Sequence, residues 1–388
     1  MDLRFSDEEE AFRLEVRTWL EANLADFEDI RGRGGLGDMD ACVERRGEWE
    51  ARLAAAGWTC IAWPEEHGGR GFSLHQEVIF NEEYARARGP GRLSHIGEGL
   101  LGPTVMAFGT EAQKKRFLPP IVQGTELWCQ GYSEPGAGSD LANIQTRAIR
   151  EGEDWVISGQ KVWTSLADIS QWCFALVRTN PDAPRHKGIS CVLIPMDQPG
   201  VEIVPIKQMT GSSEFAEVFF DGARAKVEHT VGAIDGGWKV AMGTLAYERG
   251  ASTLGQQLNF ANELQTIATL ARKNGRARDP IFRQRYAELA MRLRIMRLNS
   301  LRTLTAHGDD GGERREALIN KLFWATWHRD LGELAFDVLG DAGPLLEDGE
   351  LSELQRLFLW TRSDTIYAGT NEIQRNIIAQ RGLGLPRR

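Results

Sequence analysis

Gln130-Gly131-Tyr132-Ser133-Glu134-Pro135-Gly136-Ala137-Gly138-Ser139-Asp140 stands where the periodicity of the chain changes, and the reading of that change decides the fold. Gly136 and Gly138 begin a G-x-G pattern, but Leu141 occupies the position where a dinucleotide-fold fingerprint needs its third small residue, so a Rossmann reading is poor. Downstream come short β-branched and aromatic runs: Trp155-Val156-Ile157, Val162-Trp163, Cys173-Phe174-Ala175-Leu176-Val177, Ile189 to Ile194, and Val218-Phe219-Phe220. Ser158-Gly159, between two of these runs, predicts a hairpin turn. Short strands with turn signals over 125–234 predict a small barrel or sandwich.

On either side the period is helical. Ser6-Asp7-Glu8-Glu9 has the form of a capping box, and Phe12, Val16, Trp19 and Leu20 then recur on one helical face. Residues 1–124 are expected to be helical, with breaks at Gly32 to Gly37 and at Trp63-Pro64-Glu65-Glu66-His67-Gly68-Gly69. Trp58 and Trp63 are expected in the core, since large aromatics are chiefly buried for packing. Over 235–388 the spacing predicts helices near 238–273, 280–307, 313–340, 350–363 and 370–381, with breaks at Asp279-Pro280 and Gly311-Gly312. Long amphipathic helices with short connections make a bundle, so the expected class is α+β, in three parts.

Composition narrows the function. A formal charge of −9 and 26% charged residues in 388 disfavour a nucleic-acid binder, which needs a concentrated basic face. Arg283-Gln284-Arg285 and Arg292-Leu293-Arg294 lie in Leu- and Met-rich helical sequence and read as solvated faces and inter-helix ion pairs, with coenzyme A phosphates as the alternative. Cysteines 42, 60, 129, 173 and 191 have neither C-x-x-C spacing nor an even count, which argues against a disulfide framework or cysteine-rich zinc site and for a reducing cytoplasm. The acidic start after Met1 matches neither a signal nor a transit peptide, and no apolar run approaches membrane-span length.

The Gln130–Asp140 stretch closely resembles the flavin-binding segment of acyl-CoA dehydrogenases, and Tyr367-Ala368-Gly369-Thr370-Asn371-Glu372-Ile373-Gln374-Arg375 resembles their Tyr-Glu-Gly-Thr-x-x-Ile-Gln-Arg signature with one change. The resemblance covers essentially the whole chain and implies an N-terminal helical domain, a middle β-barrel or sandwich and a C-terminal four-helix-bundle-type domain. It implies FAD, held through Gln130, Tyr132, Ser133, Gly138, Ser139, Trp163, Ser165, Thr370 and Glu372. The hydroxyl of Ser133 and the N–H groups of a glycine-rich turn suit the pyrimidine edge of an isoalloxazine. Ser139, Tyr247 and Gly369 are the implied substrate contacts.

The single change falls on the catalytic base. At 368 most relatives carry the carboxylate that removes the α-proton of the thioester, and a methyl group accepts no proton. Leu245-Ala246-Tyr247-Glu248-Arg249 resembles the Glu-Arg pair that isovaleryl- and long-chain-type members use instead. Glu248 is then the expected base, its pKa raised toward neutrality by desolvation beside substrate, with Arg249 orienting it. The backbone N–H of Ala368 survives the replacement and remains as a donor to the thioester carbonyl. Asp364 and Glu372, each one helical turn from Ala368, are the runner-up bases.

The implied reaction is FAD-dependent α,β-dehydrogenation of an acyl-CoA to the trans-2-enoyl-CoA, with an electron-transfer flavoprotein as acceptor. A small residue at 368 is compatible with a pocket for branched or bulky chains, a steroid side chain among them. Homotetrameric relatives carry Arg-x-x-Phe-Gly and Gly-Gly-x-Gly motifs that reach the neighbouring subunit's FAD; here stand Ala271-Arg272-Lys273-Asn274-Gly275-Arg276-Ala277-Arg278-Asp279-Pro280 and Gly340-Asp341-Ala342-Gly343-Pro344. That asymmetry resembles bacterial α2β2 acyl-CoA dehydrogenases of steroid side-chain catabolism, in which a paralogous subunit completes each site. Arginines 272, 276 and 278 leave a homotetramer open. An acyl-CoA oxidase or flavin monooxygenase, and a base-less structural partner subunit, are the alternative readings.

Overall fold

The computed structural model of the chain describes residues 5–247, 251–305, 317–346 and 348–386. In the N-terminal part lie α1 (Asp7–Leu24), α2 (Val43–Ala55), α3 (Leu74–Arg86), α4 (Gly102–Phe108) and α5 (Glu111–Val122). Capping boxes at Ser6, Ser73 and Thr110 start α1, α3 and α5 by satisfying the first free N–H groups of each helix. The expected α1 face is buried: Phe12, Val16 and Leu20 pack with Trp49, Leu53, Trp58 and Phe80 in one core. Trp58 and Trp63 are both core residues, as expected of them.

The middle part is an eight-stranded sheet: β1 (Trp128–Gly131), β2 (Arg147–Glu151), β3 (Asp154–Ser165), β4 (Trp172–Arg178), β5 (Ile189–Pro195), β6 (Val201–Ile206), β7 (Phe215–Lys226) and β8 (Thr230–Val231). Its order is β6-β7-β3-β2-β4-β5-β8, with β1 parallel to β4. Trp155 and Ile157 of β3, Val218 and Phe220 of β7, and Val177 and Val192 of β4 and β5 share one apolar core, so the sheet curls over itself. The hairpin expected at Ser158-Gly159 is not there. β3 runs through it as one strand, and the turn lies at Gly152, whose φ of 63° suits glycine. Gly159 serves close approach instead, because a Cβ there would lie 2.6 Å from the Thr146 Cα.

The C-terminal part comprises α6 (Gly237–Tyr247), α7 (Ala251–Lys273), α8 (Pro280–Thr305), α9 (Asn320–Leu339), α10 (Glu353–Trp360) and α11 (Asn371–Ile377). Pro280 opens α8, where its missing N–H costs no helical bond. Gly311-Gly312 lies outside the described residues. Phe260, Trp324, Trp327, Leu331 and Leu334 form the bundle core. The arginine runs of α8 make inter-helix ion pairs, Arg285 with Asp337 and Arg292 with Asp330 at 2.7 Å.

The three parts are tied by polar side chains reaching backbone. Gln113 of α5 donates to the Glu228 and Thr230 carbonyls, and Asn262 of α7 donates to the Ala85 carbonyl. Glu214, just before β7, accepts from the Gly37 and Met39 N–H groups at 3.1 and 2.9 Å, pinning the glycine-rich loop against the sheet. Among the described residues no helix is long and apolar enough to cross a membrane, and no His/Cys/Asp/Glu group could hold a metal ion.

Candidate active site

β1 ends in the Gln130–Asp140 turn, and the turn is held from below by a buried ion pair. Lys161 of β3, 0% exposed, places its Nζ 2.8 Å from Glu134 Oε1 and donates to the Leu176 and Tyr132 carbonyls. Glu134 also accepts from the backbone N–H groups of Gln145 and Thr146. Burial alone would raise the Glu134 carboxyl, but the ammonium and these donors hold it below the usual carboxylate range. Burial draws the Lys161 ammonium down, with Glu134 opposing. Each charge stays satisfied, and the pair binds the turn to β3, whose Val162 N–H donates to the Ser133 carbonyl at 3.0 Å.

One residue beyond Val162 the strand bulges. The register of β3 on β7 shifts between Lys161 and Thr164, and Trp163 takes a φ of 60°. A bulge re-aims its side chains. It leaves the Trp163 indole 58% exposed, edge-on to Phe215 at 6.1 Å, whereas a strand tryptophan is ordinarily buried. Ser133 and Ser165 are half-buried, and Gly138 and Ser139 are exposed. A Cβ at Gly136 or Gly138 would meet nothing, so the turn has open space in front of it. Gln130 Nε2 is buried without a hydrogen-bond partner among the described residues. The Tyr132 ring is buried edge-on against Phe174 at 5.5 Å, and its carbonyl accepts from Lys161. Behind the turn, Glu134–Gly136, Asn143–Arg147 and Ser158–Gln160 line a separate cleft of ≈ 430 Å³.

The C-terminal signature forms the turn between α10 and α11. Ala368 and Gly369 are consecutive left-handed residues, with φ of 50° and 85°. The Ala368 carbonyl accepts from buried Gln374 at 2.9 Å, while its N–H has no acceptor among the described residues. Thr370 caps α11 by accepting from the Ile373 N–H. Glu372 is exposed and 3.3 Å from Arg375; its own helix-start N–H and the Thr370 hydroxyl, then Arg375, hold it below the usual range. Asp364 is 0% exposed, with one oxygen 2.7 Å from His328 Nδ1 and the other accepting from the Tyr367 hydroxyl at 2.9 Å. Neither runner-up base suits its role: Asp364 is sealed and fully engaged, and Glu372 is solvated and acidic.

Aromatic rings join the two halves. Trp163 contacts Phe215, Phe215 stacks on Trp360 at 6.2 Å and 6°, and Trp360 contacts Tyr367 at 6.3 Å, so the bulge and the Ala368 turn flank one aromatic wall. Glu248 and Arg249 lie outside the described residues, as does the side chain of Tyr247. An exposed tryptophan, an unpartnered buried amide and a free backbone donor fit a flat ring system with hydrogen-bonding edges, which is the chemistry of the expected flavin. The two segments that depart from the homotetramer motifs also meet. Arg276 Nη2 would lie 3.1 Å from a Cβ on Gly340, and Asn274 donates to the Val338 carbonyl at 2.7 Å.

Glu134, Lys161 and His328 were not among the residues expected from sequence. Glu134 lies within Gln130–Asp140 and Lys161 within Gly159-Gln160-Lys161-Val162-Trp163-Thr164-Ser165, the stretch that carries Trp163 and Ser165, and a charged residue inside each of these two ligand motifs was the available signal. His328 had none, since its partners are 65 and 36 positions away.

Comparison with known proteins gives the family and the fold. The acyl-CoA dehydrogenase N-terminal, middle and C-terminal domain models match residues 6–125, 129–223 and 235–383. Acyl-CoA dehydrogenase IpdE1 of Mycobacterium tuberculosis (strain ATCC 25618 / H37Rv) is 56% identical over 379 residues, 97% of this chain and 98% of that protein. Among solved structures, the Tcur3481-Tcur3483 steroid ACAD superposes with a TM-score of 0.88 at 32% identity, covering 100% of both chains. The ChsE4-ChsE5 complex from Mycobacterium tuberculosis superposes at 0.83 with 30% identity, again covering 100% of both.

Proposed function

This chain belongs to the acyl-CoA dehydrogenase family of flavoproteins, and from that premise we propose that it oxidises a bulky, steroid-derived acyl-CoA to the trans-2-enoyl-CoA with Glu248 as base. The observation that carries this assignment is the occupation of the alternatives: position 368 is a methyl, Asp364 is locked to His328 and Tyr367, and Glu372 faces solvent. Bound against Trp163, Ser133, Ser165 and Gln130, FAD supplies a two-electron acceptor for the hydride leaving the β-carbon.

Glu248 removes the α-proton, and Arg249 restrains its carboxylate. The Ala368 N–H, already without an acceptor among the described residues, donates to the thioester carbonyl and stabilises the enolate charge that develops as the proton leaves. Ser139 and Gly369 flank the thioester arm. The Trp163 indole walls one side of the reaction and excludes water from it.

A second subunit completes the site. The Arg272–Pro280 and Gly340–Pro344 segments lack the motifs by which a homotetramer serves its neighbour's FAD, and the two similar solved structures named above are two-component proteins by name. The proposed assembly is α2β2 with a paralogous chain, an electron-transfer flavoprotein accepting the electrons. Two measurements decide. Short, branched, long-chain and steroid CoA esters are screened for anaerobic flavin bleaching, in wild type and in Glu248→Gln. Bleaching by a steroid thioester, lost in the variant with FAD retained, is the expected result. Undiminished bleaching in Glu248→Gln removes that residue from its role, and no bleaching in wild type favours a structural partner subunit. FAD per chain is then measured with and without the paralogue. Full occupancy and activity alone would refute the partner requirement.

A further inference from the structure

Below the Ala368 turn the bundle holds a chain of polar side chains that meets the family signature only at its last member, Tyr367. His328 of α9 is 1% exposed, and its ring lies 4.4 Å from that of Phe260. Nδ1 is 2.7 Å from Asp364 Oδ2, and Nε2 is 2.8 Å from Glu263 Oε2 on α7. Carboxylates only accept, so an imidazole bonded to one at each nitrogen is an imidazolium donating twice. Asp364 Oδ1 then accepts from the Tyr367 hydroxyl, and Lys321 of α9 donates to the Asp364 carbonyl. Two helices far apart in sequence, α7 and α9, thus converge on Asp364 and Tyr367, the residues that lead directly into Ala368.

Such convergence has a mechanical reason. A left-handed alanine is strained, because its Cβ crowds the following carbonyl, and it persists only when its surroundings over-determine it. The Ala368 methyl is exposed and grips nothing, so the orientation of its peptide comes from its two sides. On one side Gln374 holds the Ala368 carbonyl. On the other stands Tyr367, fixed by Asp364 and packed against Trp324 and Trp360.

We propose that the Glu263–His328–Asp364–Tyr367 chain is a positioning device that aims the backbone N–H of Ala368 at the thioester carbonyl, compensating for the missing side chain at 368. The proposal rests on the dehydrogenase reading given above, and none of the four residues touches the reacting atoms. Tyr367→Phe removes one hydroxyl from the chain and His328→Gln removes its cation, without large loss of volume.

Both variants and wild type, as FAD-loaded complexes, are compared by backbone hydrogen exchange without substrate and by single-turnover flavin reduction with the thioester that bleaches wild type fastest. The expected result is exchange faster by roughly tenfold in 365–370 alone. Flavin reduction slows by roughly ten- to hundredfold at a KM within about threefold of wild type. Unchanged exchange in both variants overturns the proposal. So does a uniform rise through α7 and α9, which would mean that the chain only holds helices together. Because the exchange measurement needs no thioester, it tests the positioning role separately from the substrate class.

Discussion

Two charge networks, one buried in the sheet and one in the bundle that is buried but for the partly exposed Glu263, are built on opposite plans. In the sheet, Glu134 and Lys161 form one pair, each inside a ligand motif and each completed by backbone groups. In the bundle, Glu263, His328 and Asp364 form a chain with a titratable cation at its centre, and none of the three lies in the family signature. The pair is a permanent staple between the turn after β1 and strand β3. The chain depends on helix packing and on the protonation of one imidazole. On the proposed reading, the first would secure cofactor binding and the second would tune the geometry of the reacting end.

Breaking the staple has the largest expected effect. Lys161→Met leaves a buried carboxylate uncompensated and is expected to cost about 3–5 kcal/mol, read as a shift in urea midpoint together with loss of FAD. The double variant Glu134→Gln/Lys161→Met recovers much of that stability, since no charge then remains buried. If the single variant keeps its wild-type midpoint, the pair is not the anchor of the turn.

Next comes His328→Leu, which brings two carboxylates together without their cation. Destabilisation on the order of 3 kcal/mol is expected, with FAD retained. Loss of FAD without loss of stability would reverse the roles assigned to the two networks.

Their pH responses should diverge. Burial would lower His328, but Glu263 and Asp364 outweigh it and push it up to about 10 from an ordinary 6.5. A raised cation contributes stability that is fully present below pH 6.5, declines as pH rises, and is gone above about 10, a change on the order of a few kcal/mol. Glu134 is depressed, so its contribution is present above an ordinary 4.5 and is lost as pH falls through its lowered value. Thermal unfolding from pH 6 to about 10 checks the alkaline limb, which His328→Gln should flatten.

The smallest effect on stability belongs to Trp163→Ala. With 58% of the residue exposed, its removal is expected to cost less than about 1 kcal/mol while weakening FAD retention, measured by dialysis. A large loss of stability would make the indole a core residue and the bulge a packing device.

Much of the fold was legible because each element declared itself locally. The α1 face follows from periodicity, the capping box at Ser6 from its motif, and the strands β4 and β5 from their apolar runs. Ser158-Gly159 misled because a glycine in a strand marks either a turn or a close approach, and only Thr146, packed against it, distinguishes the two. β6 was missed because Pro205 and its exposed alternate residues suit an edge strand poorly described by hydrophobicity. The packing of the Tyr132 ring on Phe174, 42 positions away, was not legible in its motif.

What the sequence determined by itself was the family, the order of helical, β and helical parts, the motif residues expected at the flavin and the absence of a carboxylate at 368. These are properties of short contiguous segments, where residue spacing maps directly onto a strand, helix or turn. Tertiary structure alone decided that Trp163 is turned outward, that Asp364 is sealed from solvent, and that His328 stands between two carboxylates. Each of those follows from desolvation and hydrogen bonding among groups far apart along the chain, and such energies exist only once packing has brought the groups together.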